Sequence, residues 1–235
     1  MIETPTFTHA ACAAPHHLAA KAGRAVLAEG GNAIEAMLAM AAAIAVVYPH
    51  MNSIGGDGFW LVREPGGKVH AIEACGPAGA LATIRRYRDK GYAAIPPRGP
   101  DAAVTVAGAV GGWIEAAKLA SELGGRMSPR DLLHAAISFA RDGYPVSASE
   151  ARYWPKEIEA LLAAPGFAAN LRPSKEALTE GAIRKPLALA GTLDHLARSG
   201  LDDFYRGDVG REIAAELERI GSPVTRADLE AFRAR

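Results

Sequence analysis

The sequence predicts an α+β fold in which an early pair of strands is covered by helices, and three features carry that expectation. Ile34, Met37, Leu38, Ala41, Ala45 and Tyr48 recur at helical spacing, with alanine filling most of the opposite face. A helix apolar on every side belongs inside a core, packed closely by its neighbours. Two apolar runs, Gly58 to Arg63 and Lys68 to Ala74, are separated by Glu64-Pro65-Gly66-Gly67, and such a break marks a hairpin. Beyond Gly99 the pattern is helical.

Each element has a local cause. Pro15 opens a helix that runs to Glu29 and stops at Gly30-Gly31, because proline suits a first helical turn and glycine suits an end. Asn32-Ala33-Ile34-Glu35 has the form of a capping box, with Asn32 as the cap and Glu35 at the third helical position. That helix ends at Tyr48-Pro49 and delivers the loop Ser53-Ile54-Gly55-Gly56-Asp57-Gly58 into the first strand. Val110 to Leu123 reads as the next helix. Ser128 caps another, with Pro129 at its first position, running to Arg141 and stopping at Asp142-Gly143. Further helices are expected over Glu150 to Ala164, Pro186 to Ser199, Asp208 to Ile220 and Arg226 to Ala234. Linkers are short and no stretch is repeated or low in complexity, so residues 1–235 read as a single domain.

Composition excludes several function classes. A chain of 235 residues with 49% hydrophobic and 22% charged content matches an ordinary globular protein with a sizeable core. Lys+Arg and Asp+Glu stand at 26 each, so no basic field exists to hold nucleic acid or an anionic membrane. Aromatic content of 6% leaves no base-stacking platform. The start has an acid at Glu3 and no apolar run, unlike a secretory signal, and Ala36 to Tyr48 is too short to span a bilayer. Cys12 and Cys75 cannot make a disulfide framework, and no CxxC or His/Cys cluster suggests zinc. A reducing cytoplasm is the expected location.

The catalytic reading is sparse. The Ser53 to Gly58 loop lacks the Lys-Ser/Thr of a phosphate loop and precedes a strand, so it does not read as a nucleotide site. It is either a turn needing positive φ or a loop facing substrate. His50 and Asn52 flank it, whereas His16 and His17 read as surface or capping residues and His134 and His195 as packing residues. Cys75, at the end of the second strand, reads by default as a buried thiol. No serine sits in a GxSxG elbow.

The words AGRAVLAEGGNAIEA, AIAVVYPHMNSIGGDGFWLV, AVTVAGAVGGW, ISFARDGYPVS, DDFYRGDVG and VTRADL, in this order, resemble the N-terminal part of a gamma-glutamyltranspeptidase-family precursor. The resemblance spans roughly His9 to Phe232. It implies an N-terminal-nucleophile hydrolase with a four-layer αββα sandwich, present here only in part. It also implies a precursor that cuts itself before a threonine whose hydroxyl attacks an amide, with its own α-amine as base. VTRADLEAFRAR resembles a point inside the large subunit, so no catalytic residue is expected in this chain and the nucleophilic threonine is expected beyond Arg235. The implied partners are the small subunit of the same precursor and a small-molecule amide, with a dimer of heterodimers as one option for assembly, and no metal or organic cofactor is implied.

Within the resemblance, Asn52, Gly55, Gly56, Asp57 and Cys75 are the implied substrate-binding residues. Aligning AIEACGPAGALAT with the family puts Cys75, or Ala74 beside it, where gamma-glutamyl enzymes carry an arginine for the substrate α-carboxylate. A thiol cannot replace a bidentate guanidinium. The spelling YPHMNSIGGDGFW resembles the oxamate amidohydrolase branch, so a small amide is expected to be preferred over glutathione. Arg85, Arg86 and Arg98 are the substitute cations to consider, and each reads as exposed. Two other readings stand beside this one: an inactive fragment serving as a binding module, and Cys12 as an N-terminal nucleophile after trimming.

Overall fold

The protein is described by a computed structural model that covers residues 7–164, 166–170 and 179–235. It is rich in helix, with two small sheets among the described residues. Helix α1 spans His17–Ala28 and α2 spans Ala33–Val47, and the two pack on one another. The N-cap of α1 is His16, whose ring accepts the Leu18 amide, so the helix starts two residues later than Pro15 implies.

The Asn32–Glu35 capping box forms as expected, and Glu35 does more than cap. Its Oε2 accepts the Asn32 amide at 2.7 Å, while Oε1 accepts the Met127 amide at 2.7 Å, pinning a distant loop. Helix α2 is buried along most of its length. Met37 is 46% exposed, because that side of the helix borders a cavity rather than a neighbour.

Strands β1 (Gly58–Arg63) and β2 (Val69–Ala74) form the hairpin, pairing Trp60 with Ile72 and Phe59 with Glu73. The alternation of side chains puts Trp60, Ile72 and Ala74 on the covered face. Helix α4 (Ala109–Glu122) lies on that face. It approaches closely enough that a Cβ at Gly112 would stand 2.8 Å from the Ala74 Cβ, and one at Gly108 would stand 2.1 Å from the Ala74 carbonyl oxygen. The opposite face exposes Phe59 (71%), Leu61 (81%) and Val69 (59%). On the far side of β2, Glu73 and Arg235 exchange both main-chain hydrogen bonds. The last helix accordingly stops at Ala231, earlier than Ala234, and the chain turns extended to meet the sheet.

Helix α5 (Pro129–Asp142) packs between α2 and α8 (Leu187–Ser199), capped by Ser128 with Asp131 completing the box. The short strands β3 (Tyr144–Pro145) and β4 (Ile183–Arg184) pair antiparallel, and α6 (Ala148–Leu162) and α7 (Phe167–Asn170) lie between them in the chain. Helices α9 (Asp203–Arg206), α10 (Asp208–Arg219) and α11 (Arg226–Ala231) close the described chain. Helix α3 (Ile84–Asp89) and the short elements α7, α9, β3 and β4 were not expected from the sequence, since pieces this brief leave no periodic signal. No described helix is long and apolar enough to cross a membrane.

Candidate functional site

Pro49 ends α2, and the chain folds into a tight turn in which the Met51 and Asn52 amides both donate to the Tyr48 carbonyl at 3.1 Å. Ser53 organises the loop that follows, its Oγ accepting the Gly55 amide at 3.1 Å. The Gly56 carbonyl then accepts the amides of Gly108 and Ala109 at 2.9 and 2.8 Å. It thereby serves two of the free N–H groups at the start of α4, which has no side-chain cap of its own. Asp57 Oδ1 lies 3.4 Å from the Gly76 amide, so the loop also touches the segment after β2.

The expected site residues are therefore neighbours, but they do not share one cavity. Asn52 and Asp57 line a cavity of about 430 Å³ beside β1, whose other walls include Met37, Met40, Trp60 and Trp113. Gly55 lines a second cavity of about 380 Å³ with Ile54, Thr105, Thr192 and Phe204. Gly56 acts through its carbonyl on α4, and Cys75 stands beside Gly76.

The positive-φ explanation of the loop glycines fails. Neither Gly55 nor Gly56 has positive φ, and a Cβ on either would meet only Ser53 atoms at 3.6 Å or more. Nothing in the described chain requires glycine at these two positions.

Cys75 is half-buried rather than buried, because β2 ends there and the chain leaves the sheet. Its thiol donates to Glu73 Oε1 at 3.2 Å. That hydrogen bond, then burial and the negative charges of Glu73 and Asp57, push the thiol above its ordinary pKa. The Glu73 carboxyl is held below the usual range by the same bond and by Arg235. The group is a neutral thiol beside a Glu73–Arg235 ion pair, which is neither a nucleophile nor, by itself, an anchor for a carboxylate.

Of the substitute cations, only Arg85 is exposed. Arg86 is largely covered because it reaches Asp101 at 3.1 Å and the Gly221 carbonyl. Lys90 joins it at 2.6 Å, and these partners, Lys90 first, hold the Asp101 carboxyl below its usual range. Arg98 is half-buried. Cys12 begins no strand, and burial raises its thiol pKa, which removes the case for it as a nucleophile.

The other histidines follow expectation in part, with His16 capping and His17 at the surface. His16 is buried and caps α1, with His17 stacked 4.7 Å away. His134 is exposed on α5 rather than packed, since the buried stripe of that helix runs through Leu133 and Ile137. His195 lies 3.2 Å from Asp203. His50 packs its ring against Tyr48 at 4.2 Å, with burial lowering its pKa.

The arrangement sets a few polar groups beside an apolar surface. Asn52 offers both a donor and an acceptor, and Asp57 an acceptor, at the rim of an apolar cavity. No nucleophile paired with a base is found on these walls, and no group of three or more His, Cys, Asp or Glu among the described residues could hold a metal ion. Met37 and Trp113 in the cavity wall were not expected from the sequence, nor was the bond by which Ser53 ties its own loop. The signal for Met37 was faint, a long flexible side chain in a helix otherwise rich in alanine.

Known proteins are similar throughout the chain. It is 51% identical to the oxamate amidohydrolase proenzyme of Klebsiella pneumoniae, over 97% of this chain and 43% of that protein. It is 39% identical to the glutathione hydrolase-like YwrD proenzyme of Bacillus subtilis, over 93% of this chain and 41% of that one. The chain thus spans less than half the length of these curated relatives. Its fold matches the gamma-glutamyltranspeptidase from Pseudomonas nitroreducens complexed with L-DON with a TM-score of 0.86 and 30% identity, over 98% of this chain and 67% of that one. A family model described as gamma-glutamyltranspeptidase matches residues 19–235, and the chain belongs to that family.

Proposed function

We propose that this chain is the substrate-orienting part of an N-terminal-nucleophile amidohydrolase, a single-domain portion of the large subunit of an autoprocessed precursor. The observation that carries the reading is a pocket with orienting groups and no cleaving group, in a chain of this family. The threonine nucleophile is supplied by the small subunit, whose sheet covers the exposed Phe59, Leu61 and Val69 and completes a four-layer αββα sandwich. Asn52 and Asp57 face the substrate in the cavity beside β1, and Gly55, Gly56 and Cys75 meet it only in the assembled enzyme. The reaction passes through a threonyl ester and needs no cofactor.

A small amide of the oxamate type is preferred over glutathione. Cys75 is a neutral thiol, and the guanidinium nearest it, that of Arg235, is paired with Glu73 at 3.3 Å, so the position offers a glutamyl α-carboxylate no bidentate partner of its own. In oxamate the carboxylate is bonded directly to the amide carbon, so it sits at the reacting centre and not at the far end of a glutamyl chain. Likeness to the Klebsiella proenzyme supports the same choice.

The test is kcat/KM for oxamate, glutathione and a gamma-glutamyl anilide on the complete processed protein. Oxamate should lead by about tenfold or more, a difference near 1.4 kcal/mol. A gamma-glutamyl donor leading by the same margin overturns the substrate assignment. Turnover by purified residues 1–235 alone overturns the assignment of the nucleophile to a partner.

A further inference from the structure

Behind the turn that carries Asn52 lies a buried ion pair. Glu150 on α6 has no exposed surface and Arg184 on β4 is 4% exposed. Arg184 Nη1 donates to Glu150 Oε1, and the Trp154 indole donates to the same oxygen at 3.0 Å. Desolvation offsets most of the attraction in such a pair, so stability alone gives little reason for it. What the pair does is fix the first turns of α6 against β4.

Those turns grip the end of α2. Ser149 Oγ donates to the Tyr48 hydroxyl at 3.0 Å. The His50 ring lies 4.2 Å from Tyr48, 5.7 Å from Tyr153 and 6.4 Å from Trp154 between centroids. His50 Nδ1 is buried and makes no hydrogen bond among the described residues, and aromatic neighbours surround the ring. Two residues further on, Asn52 enters the cavity wall.

We infer that His50 is a positioning residue: its ring, wedged against Tyr153 and Trp154 above the Glu150–Arg184 pair, sets where Asn52 and the glycine loop stand toward the cavity. The link to catalysis rests on the reading of that cavity as the substrate site. The imidazole acts in its neutral form. It is faced by His16 from the start of α1, Tyr48 on its own turn, Glu150 and Tyr153 on α6, and Arg184 on β4. Tyr144 on β3 faces the same ion pair. Burial, first among the causes, disfavours a proton on His50, while Glu150 favours it and Arg184 opposes it.

The experiment compares wild type, His50→Ala and His50→Phe in the complete protein by hydrogen exchange and by steady-state kinetics. In His50→Ala the amides of residues 51–56 should exchange about tenfold faster or more, while those of α5 keep their wild-type rates. His50→Phe, which keeps the ring, should stay within about threefold of wild type at residues 51–56. For the amide substrate, His50→Ala should raise KM by about tenfold with kcat within about threefold, and His50→Phe should restore KM.

Uniform acceleration across the protein, or none in the loop, overturns the positioning role. Faster loop exchange with unchanged KM overturns its link to substrate. Wild type without amidase turnover would refute the proposed function, while the exchange data would still decide the role of His50. Should His50→Ala fail to fold, Trp154→Phe removes the indole donor to Glu150 and keeps a ring. It should speed exchange at residues 51–56 about threefold, and wild-type exchange there overturns the proposal.

Discussion

Two sets of glycines sit a few ångströms apart in this protein and obey different rules. In and beside α4, Gly108 and Gly112 press against Ala74 and Trp60 so closely that any side chain would overlap the sheet. In the loop, Gly55 and Gly56 have ordinary backbone angles and ordinary room around them. The first pair is explained by the packing of the chain on itself. The second pair is not explained by the packing of the described residues. Substrate approach to the loop is the reading adopted above.

Substitutions can break this contrast. Gly108→Val should have the largest effect, because its Cβ would fall 2.1 Å from a backbone oxygen that cannot move without tearing the end of β2. A loss of more than about 3 kcal/mol is expected in denaturant titration. Gly56→Val should do the reverse. The fold should keep its stability to within about 0.5 kcal/mol, while kcat/KM for the amide falls at least about a hundredfold, near 2.7 kcal/mol. Wild-type turnover in Gly56→Val would return the loop to a purely structural role.

Smaller effects sharpen the comparison. Cys75→Arg replaces a neutral thiol beside Glu73 with a guanidinium. It should raise kcat/KM for gamma-glutamyl donors by about tenfold and leave stability nearly unchanged, as read by parallel kinetics and thermal melts. The smallest expected change is with pH. Burial, first among the causes, lowers the pKa of His16 and His50 on either side of Tyr48. The unfolded chain then binds protons that the folded one resists. Stability is full above about pH 6.5 and declines as pH falls from there through the two folded pKa values. The α4–sheet contact has no titratable group at Gly108, Gly112, Trp60 or Ala74. Acid should therefore speed hydrogen exchange at residues 48–56 before it does so in α4, and simultaneous loss would count against a separate loop anchor.

Much of the scaffold was legible because its signals are local. Asn32, Glu35, Ser128, Pro129 and Asp131 act within one turn of where they stand, and the strand pair is announced by the glycines between its halves. The word order around the glycine loop identified the family before any coordinates. The site was half legible: Asn52 and Asp57 do share a wall, but Gly55 belongs to another cavity.

What the sequence determined by itself, then, is the set of elements with cooperative local causes: caps, helix periodicity, and turns that proline and glycine enforce. What only tertiary structure decided is every contact between residues far apart in the chain. Glu35 reaching Met127, Arg184 meeting Glu150, Arg86 leaving the surface for Asp101, and Arg235 joining β2 have no spacing that announces them. A single buried polar partner is chosen by where the packed elements happen to bring it, and that geometry exists only once the core has closed around α2 and α4.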